Sequence, residues 1–103
     1  MIQAIWNDTV LASAEKDEML RIEGNWYFPP TAVKREFFKD SDTHTTCLWK
    51  GEASYYTVNV EDQTNEDAAW YYPQPMDGSI ERVGDFTNYV AFWRGVEVKE
   101  TAS

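Results

Sequence analysis

The arrangement of apolar and polar side chains is clearest over residues 55–60. Apolar positions recur there every second residue, at Tyr56, Val58 and Val60. A period of two is the repeat of a β-strand, whose successive side chains point to opposite faces. The segment is therefore predicted to be a strand with one face directed into a core.

Shorter runs of aromatic and β-branched residues between turn formers predict further strands. Asn7-Asp8 and Gly24-Asn25 are turn sequences with such a run on either side, and each predicts a β-hairpin. Proline has no backbone N–H to donate to a neighbouring strand, so Pro29-Pro30 and Pro73 should each end a strand. The predicted strands, including the hairpin arms, cover residues 2–6, 9–13, 19–23, 26–28, 68–72, 88–93 and 96–99.

Other segments interrupt or end this pattern. Residues 31–36 follow Pro30 and contain good helix formers, so one short helical turn is predicted there. Residues 61–66 are predicted to be a polar turn, residues 74–85 a loop, and residues 101–103 a frayed end. Short strands at close spacing indicate an all-β fold, with two packed or strongly curled antiparallel sheets arranged as a sandwich or a tent.

Length and charge then restrict the class of protein. The chain has 103 residues, which predicts a single domain over residues 1–103. Its formal net charge is -9, from 18 acidic and 9 basic residues, and such a surface repels nucleic-acid polymers. No run approaches the roughly 20 apolar residues of a membrane span, and a lone cysteine fits a reducing compartment. We therefore predict a cytoplasmic protein that binds neither nucleic acid nor a membrane.

Candidate chemistry gathers in residues 41–60, which contain the single histidine and the single cysteine of the chain. Residues three apart on an ideal strand point to opposite faces, so His44 and Cys47 meet only if the chain bends, for instance at Thr45-Thr46. In contact, the histidine would help to form a nucleophilic thiolate at Cys47. Apart, Cys47 is a small hydrophobe and His44 caps a loop, and the spacing favours this second interpretation.

Lys50, Gly51 and Glu52 precede the clearest strand and form a second candidate. If the apolar face of residues 55–60 points inward, Glu52 and Ser54 lie on that face, with Lys50 as the partner of the Glu52 carboxylate. Such a group in an aromatic cleft would bind a small polar ligand or perform acid–base chemistry. The alternative is that Glu52 leaves the core at the strand end and pairs with Lys50 on the surface.

Aromatic side chains are numerous, with 5 tryptophans, 6 tyrosines and 5 phenylalanines. Flat rings stack on sugars, bases or partner proteins, so some are predicted to line a ligand site. The candidate catalytic residues are Cys47, Lys50 and Glu52. The candidate ligand-binding residues are His44, Trp49, Gly51, Ser54, Tyr55 and Trp70. No metal site is predicted, because structural zinc requires four ligands of the His and Cys type, and the sequence identifies no cofactor.

Five stretches that span most of the chain form a recognisable set: WNDTVLA (6–12), EGNWYFPP (23–30), SDTHTTCLWKGEASYY (41–56), DAAWYYPQP (67–75) and YVAFWRGVEV (89–98). In these stretches the chain resembles the small family known as domain of unknown function 427. The resemblance implies a compact, β-rich cytoplasmic domain, and a family label, nucleotidyltransferase-like, implies an enzyme. Leu48 stands where the family commonly has proline, and Asn7-Asp8 where it commonly has Asn-Gly.

Three functions follow from these candidates. The first is binding of a small polar ligand in a pocket walled by residues 44–56 and the aromatic strands. The second is a nucleotidyltransferase-like enzyme that uses Cys47, or Lys50 with Glu52, although the phosphate-binding patterns GxGxxG and GxxxxGK are absent from the sequence. The third is a homodimeric interaction module whose exposed aromatic side chains meet a partner.

Overall fold

The computed structural model describes residues 1–101, whose strands form three antiparallel sheets. The strands are β1 (Ile2–Trp6), β2 (Thr9–Ala14), β3 (Leu20–Ile22), β4 (Asn25–Tyr27), β5 (Phe38–Cys47), β6 (Gly51–Val60), β7 (Gln63–Tyr71), β8 (Val90–Phe92) and β9 (Glu97–Glu100). The helical elements are α1 (Asp77–Val83) and 3-10 turns at Lys16–Glu18, Pro30–Ala32 and Arg35–Phe37. The predicted all-β class is confirmed, and so is the predicted helical turn near residues 31–36.

The first sheet, in the order β2-β1-β9, brings the two ends of the described chain together. Asn7 and Asp8 form the turn between β1 and β2 with φ of 52° and 58°, the left-handed conformation that a tight hairpin turn requires. The predicted first hairpin is confirmed. Backbone hydrogen bonds between Met1 and Thr101 extend the sheet beyond β9. The fraying predicted for residues 101–103 is wrong at Thr101, which these bonds hold to Met1, and residues 102 and 103 lie outside the described residues.

The central sheet, in the order β5-β6-β7-β8, is covered on both faces. On one face, Tyr56, Val58 and Val60 pack in a core cluster with Ile2 and Leu11 of the first sheet. The inward face predicted from the alternation over residues 55–60 is therefore confirmed. Burial of these apolar side chains between two sheets is the main source of folding free energy in a domain of this kind.

The second hairpin, β3–β4, covers the opposite face of the central sheet. Ile22 and Tyr27 of this hairpin cluster there with Ala53 and Tyr55 of β6 and with Phe86, which follows α1. Tyr27 and Phe86 are fully buried, and their rings meet edge to face with centroids 6.2 Å apart. Strand β6 therefore contributes alternate side chains to two cores.

Strand β5 is not among the predicted strands. Residues 38–47 form one strand paired with β6, and the turn lies at residues 48–50. The bend that would bring His44 and Cys47 together does not occur at Thr45-Thr46, because these residues pair with Ala53 and Glu52 of β6. Polar residues continue along β5 because it lies at the edge of its sheet, where side chains need no burial.

Helix α1 lies within residues 74–85, for which the predicted loop is wrong. Asp77 in its first turn and Arg82 in its last turn complement the helix dipole. Gly84, with φ of 96°, donates its N–H to the Ile80 carbonyl at 2.9 Å and ends the helix. The turn-forming residues of this segment, which predict a loop, therefore lie at the two ends of a short helix. No helix among residues 1–101 is long and apolar enough to cross a membrane.

Candidate functional site

The structure distributes the predicted site residues over three places. Four lie at the turn between β5 and β6: Cys47, Trp49, Lys50 and Gly51. Three lie on the face of the central sheet that packs against the first sheet: His44, Glu52 and Ser54. Two lie on the opposite face: Tyr55 and Trp70.

Lys50 is buried at the turn, where its ammonium group forms an ion pair with Glu23. The Lys50 side chain is 8% exposed, whereas the Glu23 side chain is 51% exposed. The predicted pair between Lys50 and Glu52 is wrong, because Lys50 reaches the β3–β4 turn and Glu52 lies on the surface of β6. A carboxylate 27 positions away in the sequence therefore neutralises the buried charge.

The ion pair fixes the charge of Lys50. Burial disfavours the ammonium form, but the Glu23 carboxylate, together with Tyr27 and Tyr72, raises the pKa of Lys50 overall. The hydrogen bond from Lys50 in turn lowers the pKa of Glu23. Lys50 is therefore protonated at neutral pH, where it can neither accept a proton nor attack as a neutral amine.

Aromatic rings enclose this ion pair. The Lys50 Nζ atom lies 5.5 Å from the centre of the Trp49 ring and 5.2 Å from the centre of the Tyr72 ring. The Arg82 guanidinium lies 5.1 Å from the centre of the same Trp49 ring. Trp49 is thus in contact with two cations of its own chain. These cations occupy the surface of the Trp49 ring that a ligand ring would need.

Gly51 begins β6 at a closely packed point. Its φ of 117° is a conformation that residues with side chains rarely adopt, and a Cβ there would lie 3.2 Å from the Gln74 carbonyl oxygen. The Met76 N–H also donates to the Lys50 carbonyl at 3.0 Å. The glycine therefore allows residues 74–76 to pack against the turn.

His44 and Cys47 do not meet. Across the β5–β6 ladder His44 is opposite Ser54 and Cys47 is opposite Gly51, so their side chains lie on opposite faces of the strand. Cys47 packs against the apolar cluster beneath the β3–β4 hairpin. The geometry agrees with the interpretation of Cys47 as a small hydrophobe.

Ser54, His44 and Glu52 form a polar group on the other face. Ser54 is 6% exposed and its hydroxyl lies 3.1 Å from His44 Nδ1, and a Glu52 carboxylate oxygen lies 4.0 Å from the same nitrogen. A catalytic triad instead uses one ring nitrogen for the nucleophile and the other for the acid. This group therefore links β5 to β6 and lacks the geometry of a triad.

Tyr55 and Trp70 are direct neighbours in the β6–β7 ladder. The Trp70 indole N–H donates to the Tyr27 hydroxyl at 3.0 Å, and the Tyr55 hydroxyl shares a hydrogen bond of 2.9 Å with Thr45. Trp93, which is 42% exposed, packs beside both, with its ring 6.3 Å from Tyr55 and 5.6 Å from Trp70. The three rings form a row on this face of the sheet.

Two β-bulges lie beside the row of rings, on either side of β6. Residues 41–43 of β5 oppose the single residue Tyr55, because the register shifts between Asp40 and His44. Residues 66–68 of β7 likewise oppose the single residue Thr57. Bulges redirect side chains and are over-represented next to functional sites.

Asp67 joins the two bulges. The hydroxyls of Ser41 and Thr43 in β5 donate to its two carboxylate oxygens, Thr43 at 2.8 Å. The Trp93 indole N–H donates to the Asp67 carbonyl oxygen. The Ser41 hydrogen bond, followed by those from Thr43 and the charge of Arg94, lowers the pKa of Asp67, so the carboxylate is ionised at neutral pH. Asp67 therefore ties β5 to β7 across the intervening strand.

The bulges border an open hollow of about 540 Å³, here called the double-bulge hollow. Every lining residue is polar: Lys39, Asp40, Ser41, Asp42, Thr43, Thr57, Asn59, Thr64, Glu66 and Asp67. Over residues 1–101, no three His, Cys, Asp or Glu side chains come together in a metal-binding arrangement. The hollow therefore offers hydroxyl, amide and carboxylate groups as its means of recognition.

The sequence analysis missed this hollow. Residues 61–66 are predicted to be a turn, whereas the turn is short and Gln63 already belongs to β7. A signal was present, because residues 39–46 and 61–67 are polar at nearly every position and lie next to strands. Polar residues at both parities of a strand indicate that neither face is fully buried there.

The four arginines lie apart from one another, each over an aromatic ring. The distances from guanidinium to ring centre are 4.8 Å for Arg21 on Trp26, 6.0 Å for Arg35 on Tyr56, 5.1 Å for Arg82 on Trp49 and 4.7 Å for Arg94 on Trp93. A phosphate clamp requires such groups to converge on one point. These four arginines do not form one.

The fold and this surface define a small all-β domain with a polar hollow on its central sheet. Residues 1–102 match the family described as "Domain of unknown function (DUF427)", whose short name is NTP_transf_9. The chain belongs to this family, and the resemblance seen in its sequence is confirmed. A search among curated proteins gives no match.

Proposed function

We propose that this domain binds a small polar molecule in the double-bulge hollow. The observation that carries the proposal is the placement of Asp67, a non-glycine residue with φ of 54° inside a strand. Aspartate adopts this conformation more readily than most residues, but inside a strand it persists where the surrounding structure holds it, which is common at functional sites. Here two hydroxyls from another strand and an indole N–H hold Asp67 in position.

The hydrogen bonds within the hollow leave mainly acceptors free. Ser41 and Thr43 donate their hydroxyl hydrogens to Asp67, and the Ser41 oxygen also accepts the Thr43 backbone N–H at 3.1 Å, so one lone pair remains available on Ser41 and two on Thr43. Thr64 donates to Asn59 Oδ1 at 2.7 Å, which leaves the amide N–H groups of Asn59 as donors. With the carboxylates, acceptors outnumber donors. A complementary ligand therefore carries several hydroxyl or ammonium groups.

The charge of the lining residues further restricts the class of ligand. Four carboxylates and one ammonium group line the hollow, which gives a formal lining charge of -3. A field of this sign attracts cations and repels phosphate groups. The best match is a small polyhydroxylated molecule with an ammonium group, the chemistry of an amino sugar.

The row of rings supports the same class of ligand. Trp93 is 42% exposed although the Arg94 guanidinium lies 4.7 Å from the centre of its ring, and its indole N–H donates to the Asp67 carbonyl oxygen, so the part of the ring that stays exposed lies directly beside the polar lining. Sugar-binding sites commonly combine an aromatic surface with hydroxyl and carboxylate partners. Tyr55 and Trp70, both predicted ligand-binding residues, belong to this row.

The nucleotidyltransferase-like alternative draws no support from the charge of the hollow. Transfer of a nucleotidyl group requires stabilisation of phosphate oxygens by basic side chains or by a metal ion held on carboxylates. The lining has one basic side chain, Lys39, and its acidic side chains do not form a metal-binding arrangement. Catalytic roles for Cys47, Lys50 and Glu52 remain predictions. The protonated state of Lys50 restricts that residue to an electrostatic role.

Three sugars with the same ring test the proposal: glucosamine, glucose and glucose 6-phosphate. The measurement is the shift of the Trp93 indole N–H signal in NMR titrations, with the signal assigned from a Trp93→Phe variant. We expect the affinity to fall in the order in which the sugars are named. Absence of any shift at millimolar sugar, or tighter binding of glucose 6-phosphate than of glucosamine, would overturn the proposal.

A matched pair of variants locates the binding. Asp67→Asn keeps a residue that tolerates positive φ but removes the charge, and should weaken glucosamine binding by about tenfold, the typical contribution of a hydrogen bond to a charged group. Asp85→Asn is the control, because the Asp85 carboxylate also accepts hydrogen bonds, from Thr87, but lies outside the hollow. Equal effects of the two substitutions would place the binding elsewhere.

A further inference from the structure

Strand β5 forms one edge of the central sheet, and over residues 1–101 its outer side pairs with no other strand. An edge strand has unpaired N–H and C=O groups that another extended chain can engage. Natural proteins protect such edges with charges, prolines or bulges. The two halves of β5 differ in this protection.

The first half of β5 is protected and the second half is not. Lys39, Asp40 and Asp42 are charged, and the bulge at residues 41–43 interrupts the ladder. Residues 44–47, in contrast, pair with β6 one by one and contain no aspartate, glutamate, lysine or arginine. The segment is followed by Leu48, which is 92% exposed.

We propose that residues 44–47 of β5 pair in antiparallel fashion with the same residues of a second copy of the chain. The segment is self-complementary, because a two-fold axis at Thr45, or between Thr45 and Thr46, places threonine opposite threonine. Such cross-strand threonine pairs are favourable. A symmetric dimer uses the same patch on both copies, and the two central sheets become one continuous sheet.

The charge pattern favours a second copy at this position. Each copy has a formal net charge of -9, so two copies repel unless they meet where like charges stay apart. Residues 43–49 contain no acidic side chain, and the β6 residues paired with residues 44–47 add one, Glu52, opposite Thr46. With the axis between Thr45 and Thr46, Leu48 of each copy lies beside Thr43 of the second copy, which covers part of its apolar surface.

This inference does not rest on ligand binding, although Thr43 belongs both to the lining of the hollow and to the proposed contact with Leu48. It uses the backbone edge of β5, whereas the proposed ligand lies over one face of the sheet. The dimer can therefore be established or excluded whether or not glucosamine binds.

Sedimentation equilibrium of the full chain, from micromolar to about 1 mM, tests the proposal, since about 1 mM corresponds to the weakest association of interest. We expect the mass to rise from that of one chain to that of two. Amide exchange at residues 44–47 should slow over the same concentration range. Added salt should strengthen the dimer by screening the acidic surfaces.

Leu48→Asp and Met76→Asp form the matched variants, because each adds a negative charge at an exposed apolar residue. Asp is also a good N-cap, the position of Met76 at α1, so the control should fold. We expect Leu48→Asp to weaken the dimer by about tenfold, since each copy gains an acid at the contact, and Met76→Asp to weaken it by less than about twofold.

Three outcomes would overturn the inference. The first is a monomer at every concentration. The second is an equal loss of association in both variants, which would indicate a general effect of charge. The third is slowed amide exchange at residues 44–47 when an extended peptide is added, without any slowing on self-association. That result would make a peptide the occupant of the β5 edge.

Discussion

The Lys50–Glu23 pair and the Asp67 cluster are both charged groups beside the central sheet, but they are built in opposite ways. At Lys50 the charge is buried and enclosed by rings, and a single carboxylate neutralises it. At Asp67 hydroxyl groups hold the charge, and it borders an open hollow. The first arrangement leaves little for a ligand to contact, whereas the second leaves acceptors facing solvent. Neutralisation by an opposite charge indicates structure, and neutral hydrogen-bond donors around an open charge indicate recognition.

The largest effect should follow from breaking the closed pair. Glu23→Gln leaves the buried Lys50 ammonium without its counter-charge and should lower the free energy of unfolding by about 2–3 kcal/mol, the lower end for such pairs because Glu23 is half-exposed. Lys50→Met keeps the volume and leaves Glu23 free to hydrate, so its effect should stay within about 1 kcal/mol. Urea unfolding measures both, and the reverse order would show that Lys50 is not a closed structural charge.

The open cluster should tolerate change somewhat better. Asp67→Ala removes two hydrogen bonds and places alanine at positive φ, which should lower the free energy of unfolding by about 2 kcal/mol. Asp67→Asn tolerates the backbone conformation and should cost about 1 kcal/mol. Thermal unfolding of the two variants checks this order. Equal stabilities would mean that the bulge does not depend on the side chain of residue 67.

Substitution of two glycines by alanine compares the stability effect of an added side chain at the packed turn with its effect in the solvent-exposed helix α1. Gly51→Ala should lower the free energy of unfolding by about 1–2 kcal/mol, because its φ of 117° is strained for alanine and the Cβ lies 3.2 Å from the Gln74 oxygen. Gly78 lies in α1, and no atom is within 4 Å of the Cβ that alanine would add. Gly78→Ala should therefore raise the free energy of unfolding by up to about 1 kcal/mol. Melting temperatures that move in the same direction would contradict this contrast.

The smallest expected effect is the change in stability with pH near neutrality. The pKa values of Glu23 and Asp67 are lowered from their usual 4.5 and 3.8, so their stabilising effect is present above those values and is lost as the pH falls through the folded-state pKa. The pKa of Lys50 is raised, and burial raises the pKa of Tyr72 from 10.0 to about 12. The stabilisation from the protonated forms of these two groups is therefore lost only as the pH rises above about 10.

The melting temperature should therefore be nearly constant from about pH 5 to about pH 9. Glu23→Gln should weaken the pH dependence in acid, because it removes one of the three carboxyl groups whose pKa is lowered, Glu23, Asp67 and Asp85. A steep change near pH 6–7 in the parent protein would contradict this expectation, because the groups whose pKa values are shifted titrate in acid or above about pH 10.

Local signals predicted the architecture well. The Asn7-Asp8 turn, the alternation over residues 55–60 and the prolines that follow Phe28 and Tyr72 depend on a few neighbouring residues, and the strands lie where these signals place them. Residues 74–85 show the limit of such signals, because glycine and aspartate serve loops and helix ends alike. Which role they take depends on what the segment packs against.

The candidate site could be predicted only in part, since its geometry depends on strand pairing. Tyr55 and Trp70 lie beside the hollow, but Asp67 reaches Ser41 and Thr43 only because two bulges coincide across β6. No local pattern fixes where a bulge falls, because its position depends on the register of two strands. The partner of Lys50 was missed for a related reason, since Glu23 belongs to a different hairpin.

The seating of the four arginines on aromatic rings has a consequence for how other molecules approach. Each of these arginines is exposed with its guanidinium over a ring, and such a cation–π contact contributes about 0.5–1 kcal/mol, which an incoming anion must offset to draw the side chain away. The electric field around the domain is that of an acidic body with a formal net charge of -9. Collision rates should accordingly rise for positively charged molecules and fall for negatively charged ones as the ionic strength is reduced.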